Sequence, residues 1–150
     1  MFVSGEGQRA IVNIDDITTY IIVPLSMFER ISVVVQFEQC EHGCANMAFG
    51  LTSRTTVHSS ITDCDNLWYD TQQTVMLHLK GLNVSQGEFH ADKQDLSAIV
   101  HGDLLTFYLD NEYNLHLKVN DSEYGHFSVG PGRTNFCAEL RWGGQSLKIQ

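Results

Sequence analysis

Seven histidines and four cysteines are the residues of this 150-residue chain that could bind a metal or act as nucleophiles. The densest group of such residues is Cys40-Glu41-His42-Gly43-Cys44. It could hold zinc only if further ligands, such as Cys64 or His58, came from elsewhere, because structural zinc sites take four protein ligands. A local disulfide is a second interpretation. The favoured one is a turn with incidental thiols, because a second cysteine pair at zinc spacing is missing.

The remaining ligand types form no recognisable catalytic or metal motif. H-E-x-x-H and G-x-S-x-G, which mark zinc proteases and serine hydrolases, are absent. The segment Asp63-Cys64-Asp65-Asn66 is similar to the start of a calcium loop but lacks its later glycine and glutamate. His116 is predicted on an outward strand face, and the other histidines near loops or strand ends, so we expect solvated imidazoles. We therefore expect no metal, no cofactor and no catalytic residue.

A hydrolase on a β scaffold would need two carboxylates that face each other across a groove. Glu139 is the best placed acid on a predicted strand, but Arg141 lies two residues later and therefore on the same face. A surface ion pair between these two side chains is the expected arrangement. No second acid on a neighbouring strand can be identified, so a hydrolase is only a third hypothesis.

Aromatic residues in predicted loops indicate a binding function instead. Trp68 and Tyr69 lie in a long polar stretch, residues 53–74, and Tyr113 lies in a short predicted hairpin loop. Rigid aromatic side chains on the loops of a β scaffold are typical of recognition surfaces. The alternative for Trp68 is that its ring caps the core, since large aromatics are highly buried on average. The predicted partner-binding residues are Arg54, Trp68, Tyr69, Asn111 and Tyr113.

The elements that position these loops are strands. Val, Ile and Thr total 31 residues against 18 for Ala, Glu and Lys, and β-branched side chains favour a pleated sheet. Alternation of apolar and polar residues predicts strands over residues 10–14, 19–23, 31–38, 46–52, 75–79, 105–109, 115–119, 136–142 and 147–149. Turn residues at 110–114, 120–123, 130–132 and 143–144 separate the later strands. Many short strands with regular turns predict an all-β, two-sheet antiparallel sandwich in a single domain, residues 1–150.

The composition excludes several classes of partner. The formal net charge is −9, and no Lys/Arg-rich run exists, so nucleic acid and anionic membranes are not expected partners. No apolar run is long enough for a membrane span, and no secretory signal is visible, so we expect a cytoplasmic location. Acids in the polar stretches 53–74 and 83–95 favour a partner segment that carries Lys or Arg.

Four segments together resemble the neuralized homology repeat. Residues 104–125, LLTFYLDNEYNLHLKVNDSEYG, are similar to the family pattern FFYVN…G-x-LHY-x-ING-x-x-x-G. MAFGLTS at 47–53 is similar to I-x-FG-x-T, and FCAELRWG at 136–143 is similar to LWA-x-x-D-x-YG. YIIVPL at 20–25 is similar to GIVFS-x-RPL, with Glu29 where the family has a following Glu.

The resemblance implies a SPRY-like antiparallel sandwich and a role in recognising a protein or peptide substrate for ubiquitin ligases. It further implies that catalysis resides in a RING outside this chain, and that the parent protein can carry such a RING or further repeats. The chain itself is not expected to be an enzyme, because four scattered cysteines cannot supply the two zinc sites of a RING. A carbohydrate-binding, lectin-like sandwich is the alternative function, since sugars also stack on loop aromatics.

Overall fold

The computed structural model describes residues 2–4, 9–11, 19–37, 47–54, 72–140 and 145–149, and every regular element among them is a strand. The strands are β1 (Phe2–Ser4), β2 (Arg9–Ile11), β3 (Thr19–Pro24), β4 (Arg30–Phe37), β5 (Met47–Thr52), β6 (Thr74–His78), β7 (Asn83–Val84), β8 (His90–Ala91), β9 (Leu104–Leu109), β10 (Asn114–Val119), β11 (Ser122–Ser128), β12 (Asn135–Leu140) and β13 (Gln145–Ile149). In this described part of the chain, no helix is long and apolar enough to cross a membrane.

Two antiparallel sheets make up the fold. The large sheet has eight strands in the order β1-β2-β13-β4-β9-β10-β11-β8. The small sheet has five strands in the order β3-β12-β5-β6-β7. The prediction of a two-sheet antiparallel sandwich is therefore confirmed.

The core lies between the sheets and is built from the alternating apolar positions. Phe49 and Phe136 from the small sheet meet Phe107 from the large sheet, with ring centroids 5.1–6.1 Å apart. All three side chains are fully buried. Burying a side chain of this size stabilises a fold by roughly 1.5–3 kcal/mol. The period-two signal in the sequence thus reports the inward face of each strand.

The small sheet buries its outer face as well. Ala48, Met76 and Cys137 form a second buried cluster there, and Glu139 lies on the same face of β12 with no exposed surface. The prediction that Glu139 lies at the surface is therefore wrong, because β12 is an inner strand of a sheet covered on both sides. Arg141 lies outside the described residues. Burial raises the pKa of the Cys137 thiol, and so makes it unreactive.

Two regions that were predicted as loops contain residues that belong to strands. The turn predicted over residues 120–123 is shorter, because Asn120 and Asp121 alone form it, both with positive φ, and β11 starts at Ser122. Two consecutive residues of this kind make the turn type that matches the twist of a hairpin. The polar stretch 83–95 contains β7 and β8, which pair with β6 and β11. The strand β1 has no counterpart among the predicted elements.

Candidate functional site

Three loops meet at one end of the sandwich, which we call the loop end. They are residues 25–29 between β3 and β4, residues 110–113 between β9 and β10, and residues 129–134 between β11 and β12. Backbone hydrogen bonds join them: Leu25 N–H donates to Thr134, Phe28 N–H to Leu109, and Val129 N–H to Tyr113, at 2.9–3.0 Å. Loops that share backbone hydrogen bonds present their side chains on a fixed frame.

An open cavity of about 350 Å³ lies among these loops. Its walls are apolar on the side of β3 and β9, and its rim carries hydroxyl groups, an amide and one guanidinium. The lining residues are Pro24, Leu25, Ser26, Met27, Leu109, Tyr113, Gly132, Arg133, Thr134 and Asn135. No aspartate or glutamate is among these described lining residues, so they offer no facing carboxylate pair for hydrolysis.

Large apolar side chains are exposed around the cavity. Phe28 is 69% exposed, and Met27 and Tyr113 are each 38% exposed. Val100, the other large exposed hydrophobic among the described residues, lies at the opposite end of the sandwich, beside the turn at Gly102. Three exposed apolar anchors on mutually bonded loops are what a protein-recognition surface needs.

The backbone of Phe28 adopts a conformation that is unfavourable for any residue other than glycine. Its φ is 66°, and Glu29 N–H donates to Ser26 at 3.1 Å, which closes a four-residue turn around Met27 and Phe28. The third position of such a turn normally takes glycine, since a side chain there is strained. Because the Phe28 ring is exposed, its packing contributes little stability to offset that strain. Positions of this kind cluster at functional sites.

Tyr113 is held in the same backbone region by the loop that precedes β10. Its φ is 61°, and Asp110 organises the loop, because Oδ1 of Asp110 accepts from Glu112 N at 2.8 Å and Asn114 N at 3.0 Å. Oδ2 of Asp110 accepts from His116 Nε2 at 2.7 Å. Burial raises the pKa of Asp110, but these hydrogen bonds outweigh it and hold that pKa below its ordinary value.

Two arginines flank the cavity. Arg133 donates from Nη1 to the Val129 carbonyl at 2.9 Å and from Nη2 to the Gln72 carbonyl at 3.1 Å. Asn135 donates from Nδ2 to the Arg54 carbonyl at 2.8 Å, and Arg54 N–H donates to the buried Thr52 hydroxyl at 3.1 Å. These contacts bring Arg54 and the residues before β6 to the loop end.

The structure brings three of the five predicted partner-binding residues together. Arg54, Asn111 and Tyr113 all lie at the loop end, with Asn111 exposed at the tip of its loop. Trp68 and Tyr69 lie outside the described residues, as do the cluster at Cys40–Cys44 and the segment at 63–66. The sequence analysis did not identify Met27, Phe28 and Arg133 as candidate binding residues. The signal for the first two was an apolar pair between Pro24 and β4, at a position where turns usually carry polar residues.

Three histidines form an unpredicted feature on the outer face of the large sheet. Tyr108, His116, His126 and His90 lie in register on β9, β10, β11 and β8, and we call them the histidine row. Successive ring centroids are 4.6, 5.2 and 5.3 Å apart. His126 Nδ1 also lies 3.3 Å from Asp92 Oδ1. His116 lies on the outward face of its strand, as predicted, but His116 and His126 are only partly exposed, and each lies within hydrogen-bond distance of a carboxylate, so the expectation of solvated imidazoles is too simple for these two residues.

The histidine row shows no metal geometry. Among the residues that the structure describes, no group of three or more His, Cys, Asp or Glu side chains could hold a metal ion. Stacked rings turn their faces to one another, whereas ligands converge their nitrogens on one point. The row is therefore a packing and hydrogen-bonding feature of the sheet.

Comparison with solved structures assigns the fold. The NEUZ (NHR) domain of Neuralized from Drosophila melanogaster matches with a TM-score of 0.63 and 14% identity, over 99% of this chain and 84% of that one. The chain has the SPRY/NHR sandwich fold. A human SPRY domain matches with a TM-score of 0.58 and 14% identity, over 89% of this chain and 84% of that one. The SPRY domain of human HERC1 matches with a TM-score of 0.54 and 16% identity, over 97% and 89%. No protein-family model and no curated protein sequence matches the chain.

Proposed function

We propose that the chain is a non-catalytic protein-interaction domain that binds a segment of a partner protein at the loop end. The observation that carries this proposal is that exposed Met27 and Tyr113 line one open cavity, with exposed Phe28 next to Met27 on the same loop. Two of these residues keep a positive φ, so their side chains are presented at a cost in backbone strain. A rigid sandwich with loops joined by backbone hydrogen bonds limits the entropy lost on binding.

The SPRY/NHR sandwich fold supports an interaction domain over the carbohydrate-binding alternative, which no observation at the loop end favours. We extend the proposal to a cytoplasmic domain, spanning residues 1–150, that selects substrates for a neuralized-type ubiquitin ligase. In that arrangement the RING, and any further repeats, belong to the rest of the parent protein. Trp68 and Tyr69 are proposed to add two aromatic contacts to the same surface, beside Arg54 and Asn111.

The test is peptide binding by variants of the exposed anchors. Peptides selected on the wild-type domain from a random library are expected to bind at least about tenfold more weakly to Phe28→Ala or Tyr113→Ala, as is typical when an aromatic anchor is truncated. Val100→Ala, an exposed apolar residue at the opposite end, is the matched control and should bind as wild type does. An equal loss of peptide affinity in Val100→Ala, or no loss in Phe28→Ala and Tyr113→Ala, would mean that the partner-binding surface lies elsewhere on the domain.

A second pair of substitutions addresses the stretch between β5 and β6. The double variant Trp68→Ala with Tyr69→Ala should weaken the same peptides while the thermal midpoint of unfolding stays nearly unchanged. A large drop in that midpoint would instead assign Trp68 to the core. Glycan binding in one consistent sugar class, without peptide binding, would favour the carbohydrate-binding alternative.

A further inference from the structure

The cavity at the loop end has a local charge opposite to that of the chain. The chain carries a formal charge of −9, yet Arg133 is the one charged residue among the described residues that line the cavity. Both hydrogen bonds made by its guanidinium go to neutral carbonyls, of Val129 and Gln72. Among the described residues, no carboxylate pairs with it at ion-pair distance. The positive charge at the cavity is therefore uncompensated by those residues.

The guanidinium keeps hydrogen-bond donors available for a ligand. An arginine side chain has five N–H donors. The two carbonyls take one from each Nη, and the Nε–H is buried without an acceptor among the described residues. With respect to those residues, one N–H therefore remains on each Nη nitrogen. Carboxylates accept such charge-assisted hydrogen bonds more strongly than neutral acceptors do.

The rest of the cavity lining fits a carboxylate that has an apolar neighbour. Ser26 and Thr134 contribute hydroxyl donors, and Leu25 and Leu109 contribute buried apolar wall. Tyr113 adds a phenol at the exposed rim. A cavity of about 350 Å³ is at the small end of the range for ligand pockets, so it suits one or two side chains and not a whole folded surface.

We propose, resting on the proposed function, that the cavity receives an internal Asp or Glu side chain of the partner's segment, with a large apolar residue beside it. The exposed anchors Phe28 and Tyr113 lie on two different loops, so a chain that continues past the acid in both directions can contact both. Glu29 and Glu112 are exposed on those same loops and would repel a run of acids. Recognition is therefore selective for a single acid among apolar residues.

A partner of this chemistry differs from the Lys- or Arg-bearing segment favoured by the acids of the polar stretches. Those acids lie in residues 63–70, which are outside the described residues, and in residues 88–95. Asp92 in the second group lies beside His126 on the large sheet and not at the cavity. Charge complementarity at the cavity follows from Arg133, because a contact within hydrogen-bond distance outweighs screened charges farther away.

The experiment uses peptides selected from a random library on the wild-type domain and then resynthesised with blocked termini. We expect selected sequences to be enriched in an Asp or Glu next to a large apolar residue. Exchange of that acid for Asn or Gln should weaken binding at least about tenfold on wild type. On the Arg133→Gln variant the same exchange should change binding by less than about twofold, because the guanidinium is absent.

Several outcomes would overturn the proposal. Peptides that bind at the loop end without an acidic preference, or an equal loss on wild type and Arg133→Gln, would exclude Arg133 as the receptor. Dependence on a free C-terminal carboxylate, with the internal acid dispensable, would exclude an internal side chain. Because Arg133 also holds the 129–134 loop, the exchange on the peptide side keeps the test valid even if Arg133→Gln is less stable.

The same experiment separates this proposal from the proposed function. Backbone amide shifts of Leu25, Leu109 and Thr134 on titration report binding at the loop end whatever the peptide's charge. If those amides shift with neutral peptides, peptide binding stands and the acidic specificity is wrong. If selected peptides shift only amides near Val100, or if no peptide binds, both proposals are wrong.

Discussion

The His116 ring lies parallel to the Tyr108 ring, with centroids 4.6 Å apart and planes within 6° of each other. The two residues are direct cross-strand partners on β10 and β9. Arg30, the partner of Tyr108 on β4, places its guanidinium 5.6 Å from the centre of the phenol ring. Stacked rings and a guanidinium thus contact one another across neighbouring strands on the outer face of the large sheet. Cross-strand contacts of this kind stabilise a sheet.

Tyr108 should make the stability of the domain fall at high pH. Burial, together with its hydrogen bond to Glu123 Oε1, raises the pKa of Tyr108 from 10.0 to about 12. A group with a raised folded-state pKa stabilises the fold fully below its unfolded pKa, and that contribution is lost as pH rises through the folded pKa. Between pH 10 and about 12, wild type should therefore lose stability more steeply than Tyr108→Phe.

The measurement is urea unfolding across that pH window, with tyrosinate absorbance as a direct probe. The difference between the wild-type and Tyr108→Phe absorbance titrations should show one tyrosine with a late midpoint. Glu123→Gln is the matched control, because it keeps an acceptor oxygen but removes the charge, and should move that midpoint back toward pH 10.0. Identical pH profiles for wild type and Tyr108→Phe would contradict the assignment.

Asp110 should support the hairpin that carries Tyr113. Asp110→Ala removes the acceptor for two backbone N–H groups and for His116, and we expect it to cost about 2 kcal/mol. Asp110→Asn keeps the acceptor for the backbone but removes the charge, so a cost of about 1 kcal/mol is expected. Because the folded-state pKa of Asp110 is lowered, its stabilisation is present above the ordinary value of 3.8 and is lost as pH falls through the folded pKa.

Urea unfolding at neutral and acid pH checks both parts of this prediction. The gap in unfolding free energy between wild type and Asp110→Asn should narrow as the pH falls below 3.8. Asp121→Asn, at the exposed turn of the opposite end, is the control for the loss of one carboxylate charge and should cost little stability at neutral pH. A gap for Asp110→Asn that widens in acid would mean that the folded-state pKa of Asp110 is raised and not lowered.

Gly50 explains the Phe-Gly pair of the segment at 47–53. A Cβ atom at Gly50 would collide with backbone atoms of Val75 and Met76 on the paired strand β6. Backbone cannot move aside as a flexible side chain can, so we expect Gly50→Ala to cost about 3 kcal/mol. The reciprocal exchange on the same face, Ala48→Gly, should cost only about 1 kcal/mol. Thermal or urea unfolding of both variants measures the two costs. A cost for Gly50→Ala that is smaller than the cost for Ala48→Gly would contradict the close contact with β6.

The strands were predictable because each long strand has one face in the core. In β10, Leu115 and Leu117 are buried while His116 and Lys118 between them are only partly buried, so the inward face is visible in the sequence itself. The loop end was partly predictable for the same reason. Once the strands on either side are assigned, Asn111 and Tyr113 must lie on a hairpin loop.

The unpredicted features depend on distant partners. Strands β7 and β8 have two residues each and exist only because β6 and β11 present free edges to them. The histidine row needs the register of four strands, which no local pattern reveals. Arg133 joins the cavity because its guanidinium reaches carbonyls on two different loops. Net charge likewise reports the whole chain and not the charge of one cavity.

Phe28 should be a residue whose removal costs binding but not stability. Phe28→Ala and Phe28→Gly both delete a ring that is 69% exposed, and they differ only in the Cβ that is strained at a φ of 66°. We expect Phe28→Gly to be more stable than Phe28→Ala by about 1 kcal/mol, because glycine adopts this conformation freely.

At Val100, whose φ is not positive, the order should reverse, since glycine there only adds freedom to the unfolded chain. Urea unfolding of the four variants gives both differences. The same order at the two sites would mean that Phe28 carries no backbone strain, and its exposure would then need no functional reason.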